Sequence, residues 1–161
     1  GDINKIAMFH LCDFYVHNYQ TSKDELTFEK LKTAISRFAQ KAKEQKSLKL
    51  LAEVYLFESQ IALIDFDTGK ARTLLNEAQK IAEEKGIFKL ANLVSNSYDN
   101  LLDNLHYWES TTLQLPAISD RLELTHIEDL LNKFVRNKII YTDIAQEEEQ
   151  PVVFFIINLD G

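Results

Sequence analysis

Apolar residues recur along most of the chain at intervals of three or four, which is the period of an amphipathic α-helix. The pattern is clearest from Asp67 to Ile87, where Asp67 can cap the first turn and Gly86 can end the last one. Its apolar stripe comprises Ala71, Leu74, Leu75, Ala78, Ile81 and Ala82. This segment is therefore predicted to be a helix with one narrow buried face.

The same spacing predicts four more long helices, over residues 3–19, 26–46, 48–65 and 88–112. The helix at 48–65 has apolar residues on two faces, which is expected when a helix is sandwiched between neighbours. Pro116 ends or restarts the helix before it. A short helix is expected over residues 118–124, and Thr125 and Glu128 have the spacing of a capping box that opens another.

The C-terminal end has a different pattern. Residues 147–150 are charged or polar, and the β-branched and aromatic run at 152–157 is typical of a strand buried on both faces. A lone strand cannot satisfy its backbone hydrogen bonds. We therefore expect its partner strands either beyond Gly161, in a second domain that this sequence only enters, or in another molecule.

An offset of about forty residues aligns the second helix with the fourth and the third with the fifth. The apolar positions coincide under this offset, and AKEQKSLKL falls on AEEKGIFKL. A repeated two-helix unit predicts an array in which each pair buries its apolar face on the next. The predicted fold class is all-α, with stacked antiparallel helical hairpins over residues 1–115, further helices over 116–146 that pack on or cap them, and a linker plus strand over 147–161.

Ala71, Leu75 and Ala78 follow the small–large–small pattern of the second helix in a tetratricopeptide repeat, and Tyr55 and Ser59 fit its first helix. The chain resembles this family. It departs from it in lacking the family's glycine and closing proline, and in having a repeat nearer forty residues than about thirty-four. The resemblance covers roughly residues 1–108 and is closest to the longer, divergent repeats of multidomain signalling proteins.

The resemblance implies that the first helix of each pair lines a groove that binds peptide segments. Carried over by position, the partner-binding residues would be Glu53, Leu56, Gln60, Leu63, Leu93, Asn96, Asn100 and Asp103. Asparagine and glutamine side chains suit a peptide backbone because they both donate and accept hydrogen bonds. None of the eight is basic, so we expect a neutral or basic protein or peptide partner rather than a bound terminal carboxylate.

Composition narrows the partners and the compartment. The net charge is −7 and the basic residues are dispersed, which counts against nucleic acid and anionic membranes as partners. The single cysteine, Cys12, allows no internal disulfide, and neither a signal peptide nor a membrane-spanning run is evident. A cytoplasmic protein is therefore expected.

No residue pattern predicts catalysis, a cofactor or a metal site. His10, Asp13 and His17 can share one face of the first helix, but a polar flank with Asp–His pairing explains them better than a metal. Cys12 lies among apolar residues, so we expect a buried thiol with a raised pKa rather than a nucleophile. Gly69 and Gly86 are isolated and form no phosphate-binding loop.

These observations favour a non-enzymatic interaction scaffold in a signalling or regulatory protein. One alternative is the sensor or regulatory arm of a larger enzyme or ATPase whose catalytic domain lies outside this chain. Another is a dimerisation module in which residues 152–158 pair between two copies of the chain.

Overall fold

A computed structural model of the chain describes residues 2–109 and 116–135. These residues are almost entirely α-helical, which confirms the all-α prediction for this part of the chain. The helices are α1 (Asp2–Ser22), α2 (Glu25–Glu44), α3 (Leu48–Ile64), α4 (Thr68–Glu84), α5 (Phe88–Asp103), α6 (Leu105–Glu109), α7 (Ile118–Thr125) and α8 (127–135). The predicted linker and strand at 147–161, with the dimerisation segment 152–158, lie outside the described residues, as do the domain boundaries at 115 and 146.

Three successive turns, each joining two helices, share one geometry. The N–H groups of Ser47, Asp67 and Ile87 donate to the carbonyls of Ala42, Ala62 and Ala82, respectively, over 2.8–3.0 Å. The residue before each donor, Lys46, Phe66 or Gly86, has a positive φ of 55–65°. This is a left-handed helix ending. Because the turns share this geometry and α3 and α4 each have 17 residues, α3, α4 and α5 begin twenty residues apart. The offset from α3 to α5 is therefore the forty residues seen in the sequence.

Helix α4 forms as the sequence predicts. Asp67 Oδ1 accepts a hydrogen bond from the N–H of Lys70 over 2.9 Å. In the turn after the helix, Gly86 has the left-handed backbone conformation. The small and large apolar residues on its inner face are fully buried; they are Ala71, Leu75, Ala78 and Ala82. These alanines let α4 lie close against α3, which is its principal neighbour.

The predicted helix at 88–112 is interrupted at Asn104. The Asn104 side chain donates to the carbonyl of Asn100 over 2.9 Å, and Asn100 donates across to the carbonyl of Leu124 over 2.7 Å. Such side-chain bonds compete with regular helix geometry, so α5 ends and α6 begins here. The predicted capping box is also wrong, because Thr125 Oγ1 donates back to the carbonyl of Leu122 in α7.

Helix α3 is the centre of the described core. Every one of its residues except Leu48, Lys49 and Tyr55 is buried. It contacts α2, α4, α5 and α7, so it is enclosed on several sides. The two apolar faces read from its sequence therefore correspond to neighbours on both sides, as predicted.

The C-terminal helices lie over α3 and α1. Arg121 of α7 donates to the carbonyl of Ile64, the last residue of α3, over 2.7 Å, and its guanidinium lies 4.8 Å from the centre of the Phe66 ring. Phe134 of α8 stacks on Phe9 of α1 with ring centres 5.1 Å apart. The carbonyls at a helix end need a partner, and Arg121 supplies one. This covering determines which predicted groove residues can meet a partner.

Candidate functional site

Three of the four groove residues predicted on α3 are inaccessible. Leu56 and Leu63 have no exposed surface, and Gln60 is 1% exposed. Gln60 Nε2 donates to Ser59 Oγ over 2.9 Å, and that hydroxyl donates to the carbonyl of Leu56 over 2.6 Å. The expectation that they line an open groove is wrong, because packing neighbours cover α3 and the amide of Gln60 is bonded internally.

Glu53, the fourth predicted residue of α3, is also buried. Its Oε2 forms an ion pair with Lys5 Nζ of α1, and the two side chains are only 6% and 10% exposed. Removing one member of such a pair leaves a charge buried without compensation. Glu53 is therefore a structural residue at the edge of the predicted site.

The four predicted residues of α5 have separate roles. Leu93 is half-buried and Asn96 is exposed. Asn100 is committed to the carbonyl of Leu124, so its amide holds α7 instead of a partner. Asp103 is exposed, but it does not line the cleft that contains Leu93 and Asn96.

Glu53, Leu93 and Asn96 meet in one cleft of about 390 Å³, here called the α3–α5 cleft. Helices α3 and α5 and the described part of α8 form its walls. The remaining lining residues are Lys49, Ile87, Lys89, Leu90, Asn92, Lys133 and Phe134. The structure thus brings three of the eight predicted residues together and leaves the other five outside.

The sequence held a signal for only some of these additional residues. Lys49 and Lys89 are forty residues apart, so the repeat offset that relates Glu53 to Leu93 relates them as well. Lys133 and Phe134 enter the cleft only because α8 folds back over the array, which no local pattern reveals. The eight predicted residues include no basic one, which was compatible with a basic partner. The cleft is also lined by three lysines, so its charge does not favour a basic partner over an acidic one.

Other chemical groups behave as core or surface residues. Cys12 has no exposed surface, and burial, followed by the charge of Asp13, raises the pKa of its thiol to about 12. His10 and His17 are exposed on α1. Within residues 2–109 and 116–135, no three His, Cys, Asp or Glu side chains are grouped so that they could hold a metal ion.

Comparisons with models of known protein families, with curated proteins and with solved structures gave no match. The resemblance to tetratricopeptide repeats therefore rests on the sequence pattern given above. None of the helices in the described parts of the chain is both long and apolar enough to cross a membrane.

Proposed function

We propose that this chain is a non-enzymatic interaction scaffold that binds a peptide segment of a partner protein in the α3–α5 cleft. The observation that carries the proposal is the convergence of Glu53, Leu93 and Asn96. The tetratricopeptide resemblance, carried over by position, gave these three residues among its eight candidates, and they line a single cleft. Its volume lies near the lower end of the range typical of ligand sites, about 300–1,000 Å³.

The lining suits a short peptide with one apolar anchor. Leu93 and Ile87 are half-buried and present apolar surface to the cleft, while Asn92 and Asn96 are exposed beside them. Apolar side chains buried near the centre of an interface supply most of its affinity. The two amides can donate to and accept from a peptide backbone, which fixes the position of the bound segment.

Two contacts tie the walls of the cleft to α1. The Lys5–Glu53 ion pair joins α1 to α3 on one side, and the stacking of Phe134 on Phe9 joins α8 to α1 on the other. A site held in its binding geometry loses less conformational entropy when a ligand binds. We therefore expect binding without large rearrangement of α3 or α5.

The identical turns and twenty-residue spacing of α3, α4 and α5 support a stack of helical hairpins similar to tetratricopeptide repeats. We place such a scaffold within a signalling or regulatory protein. The buried, unpaired thiol of Cys12 is compatible with a reducing compartment, which supports a cytoplasmic location.

A matched pair of double variants tests the cleft. Peptides that bind the intact chain are first selected from a displayed random library. The variant Leu93→Ser/Asn96→Asp changes the cleft, and Leu74→Ser/Asn76→Asp makes the same chemical changes on α4, where Leu74 is likewise half-buried and Asn76 exposed. We expect the cleft variant alone to lose at least about tenfold in affinity, or about 1.4 kcal/mol.

Circular dichroism of both variants verifies that the helices are intact. Equal affinity of the two variants for the selected peptides would contradict the proposal, as would a library that yields no binder to the intact chain.

A further inference from the structure

A second surface lies between α1 and α2 and shares no lining residue with the α3–α5 cleft. It is a groove of about 760 Å³, here called the α1–α2 groove. Its lining includes Met8, Leu11 and Tyr15 of α1 and Leu26 of α2. Leu11 and Leu26 are 41% and 61% exposed, which is high for large apolar side chains that line one groove.

Helix α1 has two apolar stripes. One is buried, and the other is partly exposed, because Met8 and Tyr15 are half-buried against the core whereas Leu11 is exposed. Phe9, Cys12 and Val16 face the core and are essentially inaccessible. Met8, Leu11 and Tyr15 follow the spacing i, i+3, i+7 and so form a separate stripe toward the groove. A helix normally has polar residues where it faces solvent. The exposed surface of Leu11, like that of Leu26, is therefore available to a partner outside the described fold.

The wall contributed by α2 is basic. Lys30, Arg37 and Lys41 line the groove at spacing i, i+7, i+11, which places them in one row along the helix. None of these three forms a salt bridge with a described residue.

The two carboxylates of the groove are already engaged. Glu29 Oε1 lies 2.7 Å from Lys32 Nζ, and Glu44 Oε1 accepts a hydrogen bond from Gln40 Nε2 over 3.0 Å. Although the chain as a whole carries a net charge of −7, three cations and two carboxylates line this groove, so its lining has a net charge of +1 beside apolar surface.

We propose that the α1–α2 groove binds an amphipathic α-helix of a partner protein, with its apolar face on the Met8–Leu11–Leu26 surface and carboxylates opposite Lys30, Arg37 and Lys41. The lining residues of α2 extend from Leu26 to Glu44. At 1.5 Å per residue this is a length of about 27 Å, which matches a helix of about 18 residues. The apolar floor favours a helix of this kind over nucleic acid, whose backbone offers no apolar face.

The first test uses two synthetic peptides of about 18 residues, a length set by the helical rise. Both have a leucine stripe at i, i+3, i+4, i+7 spacing. One places glutamates beside the stripe at i, i+7, i+11, and the other has lysines there. By fluorescence anisotropy at low salt, we expect the acidic peptide to bind at least about tenfold more tightly, and added salt to reduce this difference by screening.

The second test changes the groove. Arg37→Glu/Lys41→Glu reverses two cations of the row, and Lys80→Glu/Lys85→Glu reverses two exposed lysines of α4 and its turn with the same change in net charge. We expect the groove variant to weaken the acidic peptide at least about tenfold, because attraction becomes repulsion, and the control to leave it within about twofold. Leu11→Ser/Leu26→Ser, at two exposed sites, should also abolish binding while the circular dichroism spectrum is unchanged.

Three results would overturn the proposal. Equal binding of the acidic and basic peptides would exclude charge recognition. An equal loss in both charge-reversed variants would indicate general electrostatic attraction. Self-association of the intact chain that Arg37→Glu/Lys41→Glu abolishes would identify a second copy as the occupant. None of these results depends on the α3–α5 cleft, so this proposal and the proposed function can fail separately.

Discussion

Lys5 and Glu53 form an ion pair between α1 and α3 in the described core. Both side chains are almost entirely buried, so each charge depends on the other for compensation. Nothing near Glu53 in the sequence indicates this pairing, because Lys5 is remote along the chain and is brought to it by the packing of α1. Glu53 was consequently predicted as an exposed groove residue.

Replacement of one partner in this ion pair should be costly. We expect Lys5→Met to lower the free energy of unfolding by about 3–5 kcal/mol, because it leaves Glu53 buried and unpaired. The double variant Lys5→Met/Glu53→Met should be much less destabilised. Urea unfolding of the wild type, both single variants and the double variant measures the coupling, and additive effects would show that the two side chains do not interact.

Cys12 gives the fold a dependence on alkaline pH. Burial raises the pKa of its thiol to about 12 from an ordinary value of 9.0. Above the ordinary value the unfolded chain loses the proton while the folded chain keeps it. The contribution of Cys12 to the free energy of unfolding is therefore complete below about pH 9. It is lost between about pH 9 and pH 12, by about 1.4 kcal/mol for each pH unit.

Urea unfolding between about pH 7 and pH 11 tests this linkage. We expect stability to decrease more steeply with pH in the wild type than in Cys12→Ala, in which this titration is absent. The comparison of slopes separates Cys12 from lysines and tyrosines that titrate in the same range. Parallel slopes would mean that the thiol is not buried in the folded protein.

At the level of the elements, the boundaries of α2, α3 and α4 follow from the sequence to within about two residues, as is usual for strongly periodic segments. The apolar spacing, the cap at Asp67 and the left-handed Gly86 define them locally. The break in α5 could not be predicted, because the hydrogen bond from Asn100 to Leu124 depends on α7. Local signals determine where these helices form, and tertiary contacts determine where α5 is interrupted.

The three identical turns have different residues at the left-handed position, and this provides an internal comparison. We expect Lys46→Gly to stabilise the fold by about 0.5–1 kcal/mol, because glycine adopts positive φ without steric cost. Gly86→Ala should destabilise it by about 1 kcal/mol through its φ of 65° alone, since an added Cβ meets no atom within 4 Å. Thermal or urea unfolding measures both effects.

Phe66 should respond differently although its φ is 59°. Its ring contacts the guanidinium of Arg121 and lies 6.0 Å from the ring centre of Trp108. Phe66→Gly would relieve backbone strain but remove these contacts, so we expect a net loss of stability. Equal stabilisation of the fold by Lys46→Gly and Phe66→Gly would contradict this expectation. It would mean that the contacts between this turn and α7 contribute nothing to the free energy of unfolding.

For the whole molecule, the covering of α3 is the feature that most changes the functional interpretation. The apolar faces of α3 correctly predicted a helix between neighbours, whereas the repeat resemblance placed Leu56 and Leu63 in an open groove. These two expectations conflict, because two large apolar residues in an open groove would be exposed to water. The apolar side chains of the C-terminal helices also had to be buried against another part of the fold. The described fold buries Leu122, Ile127 and Leu130.

This covering leaves the α3–α5 cleft as the accessible remainder of the predicted groove. Its position could be anticipated from the tetratricopeptide resemblance, carried over through the forty-residue register that relates Glu53 to Leu93. Its shape could not, because Phe134 reaches it through the stacking on Phe9, far away in sequence. The site thus combines a repeat signal that is visible in one sequence with a tertiary contact that is not.

The reactivity of an introduced thiol measures whether α3 is covered by its neighbours in solution. Gln60→Cys and Asn96→Cys are prepared separately in the Cys12→Ala background, and circular dichroism verifies that both are folded. Gln60 is buried beneath the covering of α3, and Asn96 is exposed at the cleft.

The rate at which each thiol reacts with a maleimide in the folded protein is then compared with its rate in the urea-unfolded chain. We expect Asn96→Cys to react at close to the unfolded rate and Gln60→Cys at least about 100-fold more slowly, because it must wait for local opening. Similar, rapid rates for the two variants would show an open groove along α3 and would contradict the account.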